Sequence, residues 1–122
     1  DIKLETFIQT PSLEQPHRIS VSNAFNLYWS ITQQLAHHTV TGCNLRPGDM
    51  MGTGTISGPD NDSMGCLLEI TYDGKQCLDL PNGERRVYLE DGDSITLKAS
   101  CSGEGYTVGF GELTSQVVPA RP

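Results

Sequence analysis

The 122 residues are 36% hydrophobic and 7% aromatic, a length suited to one domain with a lean stock of core side chains. Fifteen acidic residues against 8 basic ones give a net charge of −7, which repels phosphate backbones and anionic headgroups and so excludes nucleic acid and a membrane surface as partners. No apolar run approaches the roughly 20 residues that span a bilayer, so no membrane segment is expected.

From the start, Ile2–Gln9 (IKLETFIQ) alternates with a period of two, placing Ile2, Leu4, Thr6 and Ile8 on one face of a strand. Thr10–His17 holds Pro11 and Pro16 and reads as a loop. Ser22 or Asn23 can then cap a helix running to His38, with Ala24, Leu27, Tyr28, Ile31 and Leu35 at helical spacing. Beyond it, Pro47-Gly48 suits a type II turn, and Gly52, Gly54 and Gly58 punctuate a loop.

Short alternating runs follow at 67–72 (LLEITY), 76–80 (QCLDL), 85–90 (RRVYLE), 94–101 (SITLKASC), 106–110 (YTVGF) and 114–119 (TSQVVP). They read as strands. Asp73-Gly74, Asn82-Gly83, Asp91-Gly92 and Gly103–Gly105 supply the hairpin turns between them, so the expected arrangement is an antiparallel meander. The chain is mainly β, with one helix near residues 23–38. Cys43, Cys66, Cys77 and Cys101 form no CxxC pair. Free thiols of a reduced, cytoplasmic protein are the first reading, and two disulfides of a secreted chain the second.

Several residue groups can carry chemistry, each with a plainer alternative. In Met51–Gly58 (MGTGTISG) the glycines let backbone N–H groups approach a bound oxygen; the alternative is a turn between strands. Neither a dinucleotide fingerprint nor a P-loop fits the surroundings. Glu69 stands beside leucines, where burial would raise its pKa and suit it to orient a histidine, or else it is a solvated strand acid. His37 and His38 complement the negative end of the helix dipole. Asp49 closes the Pro47-Gly48 turn, Asp60 and Asp62 read as loop acids, and Arg85, Arg86, Glu90, Asp91 and Asp93 read as solvated charges at hairpin rims.

Tyr28–His38 (YWSITQQLAHH), Gly42–Gly58 (GCNLRPGDMMGTGTISG) and Gly105–Gly111 (GYTVGFG) together resemble the C-terminal part of the fumarylacetoacetase family. The resemblance covers nearly the whole chain, densest from Tyr28 to Gly58 and around Leu67–Glu69. Where the broader family has a Thr-Gly-Thr-Pro string, this chain has Thr53-Gly54-Thr55-Ile56-Ser57-Gly58. That departure argues against relatives acting on other dicarbonyl acids, such as acylpyruvate hydrolases and oxaloacetate decarboxylases.

The resemblance implies a mixed β-sandwich or roll, of which residues 1–122 form a single partial domain. It implies hydrolysis of a carbon–carbon bond in a small-molecule β-diketone by a homodimeric enzyme. It also implies a Ca²⁺ or Mg²⁺ ion held by acids upstream, where a general-base histidine and charge-stabilising lysine, arginine and glutamine also lie. Glu69 corresponds to the catalytic glutamate that holds that histidine, and Gly54 and Thr55 to the pair that binds substrate; no metal ligand maps onto this chain. The segment alone is therefore expected to be inactive. A non-enzymatic β module that dimerises or binds a partner is the reading from a different class.

Overall fold

The computed structural model describes residues 1–121. It is mainly β, as expected: a four-stranded antiparallel sheet in the order β2-β1-β5-β6 and a two-stranded sheet β3-β4. Strand β1 spans Lys3–Gln9 and β2 His17–Asn23, the loop between them carrying both prolines. Leu4 opposes Ser22 and Ala99, Thr6 opposes Ser20 and Leu97, and Ile8 opposes Ile95. Leu4, Thr6 and Ile8 thus share one face, as the alternation requires. Ile8 is fully buried there.

Strands β5 (Ser94–Gly103) and β6 (Tyr106–Gln116) form the long hairpin, turning at Gly105. The run expected at 106–110 and the first three residues of that expected at 114–119 are in fact parts of this one strand, which ends at Gln116. Between the pairs Lys98–Glu112 and Ser100–Gly109, β6 has one residue more than β5. Gly111 takes up the excess in the left-handed region at φ 80, so a bulge continues the strand where a break was expected. β2, by contrast, has no counterpart among the expected strands. It pairs with β1 and continues the sheet toward the 60–64 loop, whose Asp62 carbonyl accepts the Val21 N–H.

The helix begins later than its apolar spacing suggests. Asn23 caps only a 3-10 turn, Ala24–Asn26, and the backbone then extends at Leu27. Helix α1 spans Ile31–Thr39 and starts with a capping box: Ser30 Oγ accepts the Gln33 N–H, and Gln33 Oε1 accepts the Ser30 N–H.

LLEITY is not a strand. Leu67–Ile70 form a short helix, α2, and Tyr72 and Asp73 adopt left-handed conformations at φ 50 and 59 that end it. Leu67, Ile70 and Thr71 turn inward at three- and four-residue spacing, while Leu68, Glu69 and Tyr72 are exposed. Thr71 is fully buried and donates to the Leu67 carbonyl at 2.7 Å. Asp73-Gly74 therefore closes a helix and not a hairpin. Strands β3 (Leu78–Asp79) and β4 (Arg85–Arg86) are two-residue remnants of the runs expected there, joined through Asn82-Gly83 with Gly83 at φ 85.

Arg86 and Asp93 are not solvated rim charges. Asp93 is fully buried and Arg86 is 8% exposed. The guanidinium donates to both carboxylate oxygens, Nε at 2.8 Å and Nη2 at 3.0 Å, and the Glu90 N–H adds a third donor at 2.9 Å. Burial alone would raise the Asp93 carboxyl, yet these donors and the Arg86 charge hold it below its ordinary value. Two charges leave water here only because each hydrogen-bonds the other in a bidentate fork.

The chain exposes 9067 Å², well above the about 6,500 Å² of a compact monomer of its mass. Ile8 and Leu80 are the buried hydrophobic residues, while Tyr106, Val108, Phe110 and Leu113 of β6 stand exposed. The sheet presents apolar faces that nothing in residues 1–121 covers.

Candidate functional site

The 50–58 loop runs past the Leu4–Thr6 face of the sheet. Gly54 is left-handed at φ 74, with open space where a Cβ would stand, and the Thr53 hydroxyl donates to the Gly54 carbonyl at 3.0 Å. Gly54, Thr55, Ile56 and Gly65 form one wall of a cavity of about 480 Å³, and Leu4, Thr6, Ser22, Leu97 and Phe110 contribute to the opposite side. Gly54 and Thr55, the candidate substrate-binding pair, thus lie together on one wall. Ser22 has a place here that no sequence motif marks. Its hydroxyl is buried without a hydrogen-bond partner among the described residues.

Glu69 sits in α2 and is exposed, contrary to the burial expected of a strand acid beside leucines. Its carboxylate bends back to the start of its own short helix. Oε2 accepts the Ser57 hydroxyl at 2.6 Å and the Gly65 N–H at 3.0 Å, with the Cys66 thiol at 3.6 Å. The Ser57 hydroxyl first, then Gly65 and Cys66, hold the Glu69 carboxyl below its ordinary value. Glu69 is therefore an ionised acid at neutral pH. It does not line the cavity; Gly65, whose N–H it accepts, does. The anchors are invisible in sequence, because Ser57 lies twelve residues away across an irregular loop.

The loop is placed by bonds to β2 and by bonds within itself. Ser20 Oγ donates to the Met64 carbonyl at 2.7 Å, and the Gly58 N–H donates to the Ser63 carbonyl at 2.8 Å. Ser63 is buried, and its Oγ accepts the Asp60 N–H. A strand, a tight loop and a helix start are fastened together at one point, and the Ser57–Glu69 contact lies there.

His37 and His38 are exposed in the last turn of α1, where a cation suits the helix dipole. They border a second cavity of about 820 Å³ with Tyr28, Trp29, Met50 and Met51. Asp49 closes its turn as expected: its carboxylate accepts the Arg46 N–H at 2.8 Å, and Gly48 has the positive φ of 97 that a type II turn demands. A divalent oxygen-seeking cation needs around six converging ligands. The described residues do not fit one, for no three His, Cys, Asp or Glu side chains among them converge. Among the described residues no helix is long and apolar enough to cross a membrane.

An ionised glutamate fastened to a glycine-rich loop, beside a cavity floored by an antiparallel sheet, defines a mainly β acid-bearing site with no cluster of metal-ligating side chains among the described residues. Residues 15–118 match the family described as Fumarylacetoacetate (FAA) hydrolase C-terminal, and the chain belongs to that family. It is 56% identical over 122 residues to the fumarylacetoacetase of Arabidopsis thaliana and 54% identical over 122 residues to that of Oryza sativa subsp. japonica, covering 100% of this chain in both cases. The fumarylacetoacetase of Homo sapiens is 43% identical over 120 residues, 98% of this chain. The chain spans 28% of the length of the Oryza protein and 29% of the other two.

Proposed function

We propose that the protein to which this chain belongs is a fumarylacetoacetase, hydrolysing 4-fumarylacetoacetate to fumarate and acetoacetate in the last step of tyrosine and phenylalanine breakdown. Water oxygen bonds to the fumaroyl carbonyl carbon, and the adjacent carbon–carbon bond breaks. Its electron pair passes to the acetoacetyl fragment as an enolate, which takes a proton. In this reading Glu69 holds a general-base histidine from the rest of the protein and stabilises its imidazolium, as the acid of a hydrolase triad does. Gly54 and Thr55 bind a substrate oxygen, the first by leaving the loop backbone open and the second through its hydroxyl.

The observation that carries the reading is the position of Glu69: an ionised carboxylate anchored through one oxygen to the loop that bears Gly54 and Thr55. A divalent cation, Ca²⁺ or Mg²⁺, would find its ligands outside residues 1–122, together with the histidine. The segment alone is accordingly inactive. The complete protein is a cytoplasmic homodimer, and the exposed face of β6 favours extensive packing by other parts of that assembly.

The test is turnover by the full-length protein. Equal amounts of fumarate and acetoacetate from fumarylacetoacetate, with no comparable cleavage of oxaloacetate or an acylpyruvate, is the expected result. Preference for one of the latter acids would move the protein to another branch of the family. Inactivity toward all of them would leave a non-enzymatic module.

A further inference from the structure

We propose that Ser57 is a positioning residue for Glu69, holding one carboxylate oxygen so that the other is presented to the histidine. The proposal rests on the role given to Glu69 above. Three contacts within the described residues, from Ser57, Gly65 and Cys66, all fall on Oε2. No hydrogen bond from the described residues reaches Oε1, and Glu69 is exposed in this chain.

The Ser57 hydroxyl has two partners at once. It donates to Glu69 at 2.6 Å and accepts the Gly65 N–H at 3.1 Å, while the same N–H also reaches Glu69 Oε2 at 3.0 Å. Serine, the carboxylate and a backbone amide thereby close a ring. A serine serving only its own turn would bond to nearby backbone, whereas this one reaches a carboxylate twelve residues along the chain. Helix α2 is too short to fix the Glu69 side chain unaided, since a single helical turn is not stable by itself. Ser57 also lies two residues beyond Thr55. It therefore couples the loop proposed to touch substrate to the acid proposed to hold the base.

Two titratable groups bear on Glu69 in this account, the Cys66 thiol at 3.6 Å and the histidine of the rest of the protein. The Ser57 hydroxyl is the foremost cause of the lowered Glu69 carboxyl. Its removal raises that value, so the carboxylate protonates earlier as pH falls.

The experiment compares Ser57→Ala, Ser57→Cys and Ser57→Thr with Glu69→Gln in the full-length protein, using fumarylacetoacetate. Ser57→Ala should lower kcat roughly ten- to a hundredfold, the range for losing a hydrogen bond to an ionised partner, with KM nearly unchanged. The acid limb of the pH–kcat profile should move to higher pH. Ser57→Cys, close in size but a weak donor, should move it the same way, and Ser57→Thr, which keeps the hydroxyl, should restore both readouts. Wild-type kcat and an unmoved acid limb in Ser57→Ala and Ser57→Cys, with Glu69→Gln impaired, would overturn the role of Ser57 while leaving that of Glu69. An equal loss in Ser57→Thr with an unmoved limb would mark a purely structural serine and overturn it too. Unimpaired Glu69→Gln would overturn both assignments.

Discussion

The Ser57 hydroxyl and the Glu69 carboxylate meet at 2.6 Å, fastening the glycine-rich loop to the start of helix α2. The loop proposed to touch substrate and the acid proposed to hold the base are thereby one mechanical unit, and changes on either side have distinct expected effects.

On the substrate side, Thr55→Val keeps the shape of the side chain and deletes its hydroxyl. If that hydroxyl binds a substrate oxygen, the loss is about 1 kcal/mol, or roughly fivefold in KM. Steady-state kinetics of the full-length variant decide the matter, and unchanged KM and kcat would confine Thr55 to a structural role.

Gly54 and Gly52 make a matched pair in the same loop. Neither has an atom within 4 Å of where a Cβ would stand, but Gly54 is at φ 74 and Gly52 is not left-handed. Gly54→Ala should therefore cost about 1–2 kcal/mol of backbone strain, with Gly52→Ala close to neutral. Urea denaturation midpoints of the two variants check this; equal midpoints would show that the loop relaxes freely.

The Arg86–Asp93 pair is a buried, bidentate ion pair outside the site. Asp93→Ala leaves the guanidinium buried without its partner, for which the expected loss is about 3–5 kcal/mol. A denaturation midpoint near that of the wild type would mean that water reaches Arg86 and that the pair contributes little.

Glu84 ties the β1–β2 loop to the β3–β4 hairpin, accepting from Ser12 at 2.6 Å, from Thr10, and from Asn82 at 2.8 Å. These donors, Ser12 foremost, pull its carboxyl from 4.5 to about 2. A depressed folded-state pKa contributes stability that is fully present above the unfolded value and is lost as pH falls through the folded one. The stability difference between wild type and Glu84→Gln should hence be constant above about pH 4.5 and shrink toward pH 2. A difference independent of pH would show that the hydroxyls do not favour the ionised form.

Much of the sheet is legible in the sequence because its signals are local. The alternation of Ile2–Gln9 and the Gly103–Gly105 turn mark β1 and the β5–β6 hairpin directly. Ser30 and Gln33 carry a capping-box signal for the true helix start that the broader apolar spacing obscures. LLEITY fits a period of two and a helical turn equally well over six residues. The Gly65 and Ser57 donors at one end and the left-handed Tyr72 and Asp73 at the other decide for the helix, and only the folded chain brings them into place. The burial of Arg86 and Asp93 likewise appears only once the chain is folded, because charged residues beside Asp-Gly and Asn-Gly turns read as solvated in the sequence. Gly54, Thr55 and Glu69 are recognisable through family resemblance; the hydroxyl joining their two segments is not.

The most direct test of the account is kcat for fumarylacetoacetate in the full-length protein and its Glu69→Gln variant, followed by release of fumarate and acetoacetate. If Glu69 holds the proposed histidine, neutralising the acid leaves the imidazolium without its counter-charge, as loss of the acid does in a hydrolase triad, so kcat should fall on the order of 10²-fold or more. A Glu69→Gln enzyme that turns over as fast as the wild type would contradict the account, because the carboxylate at its centre would then play no part in the chemistry.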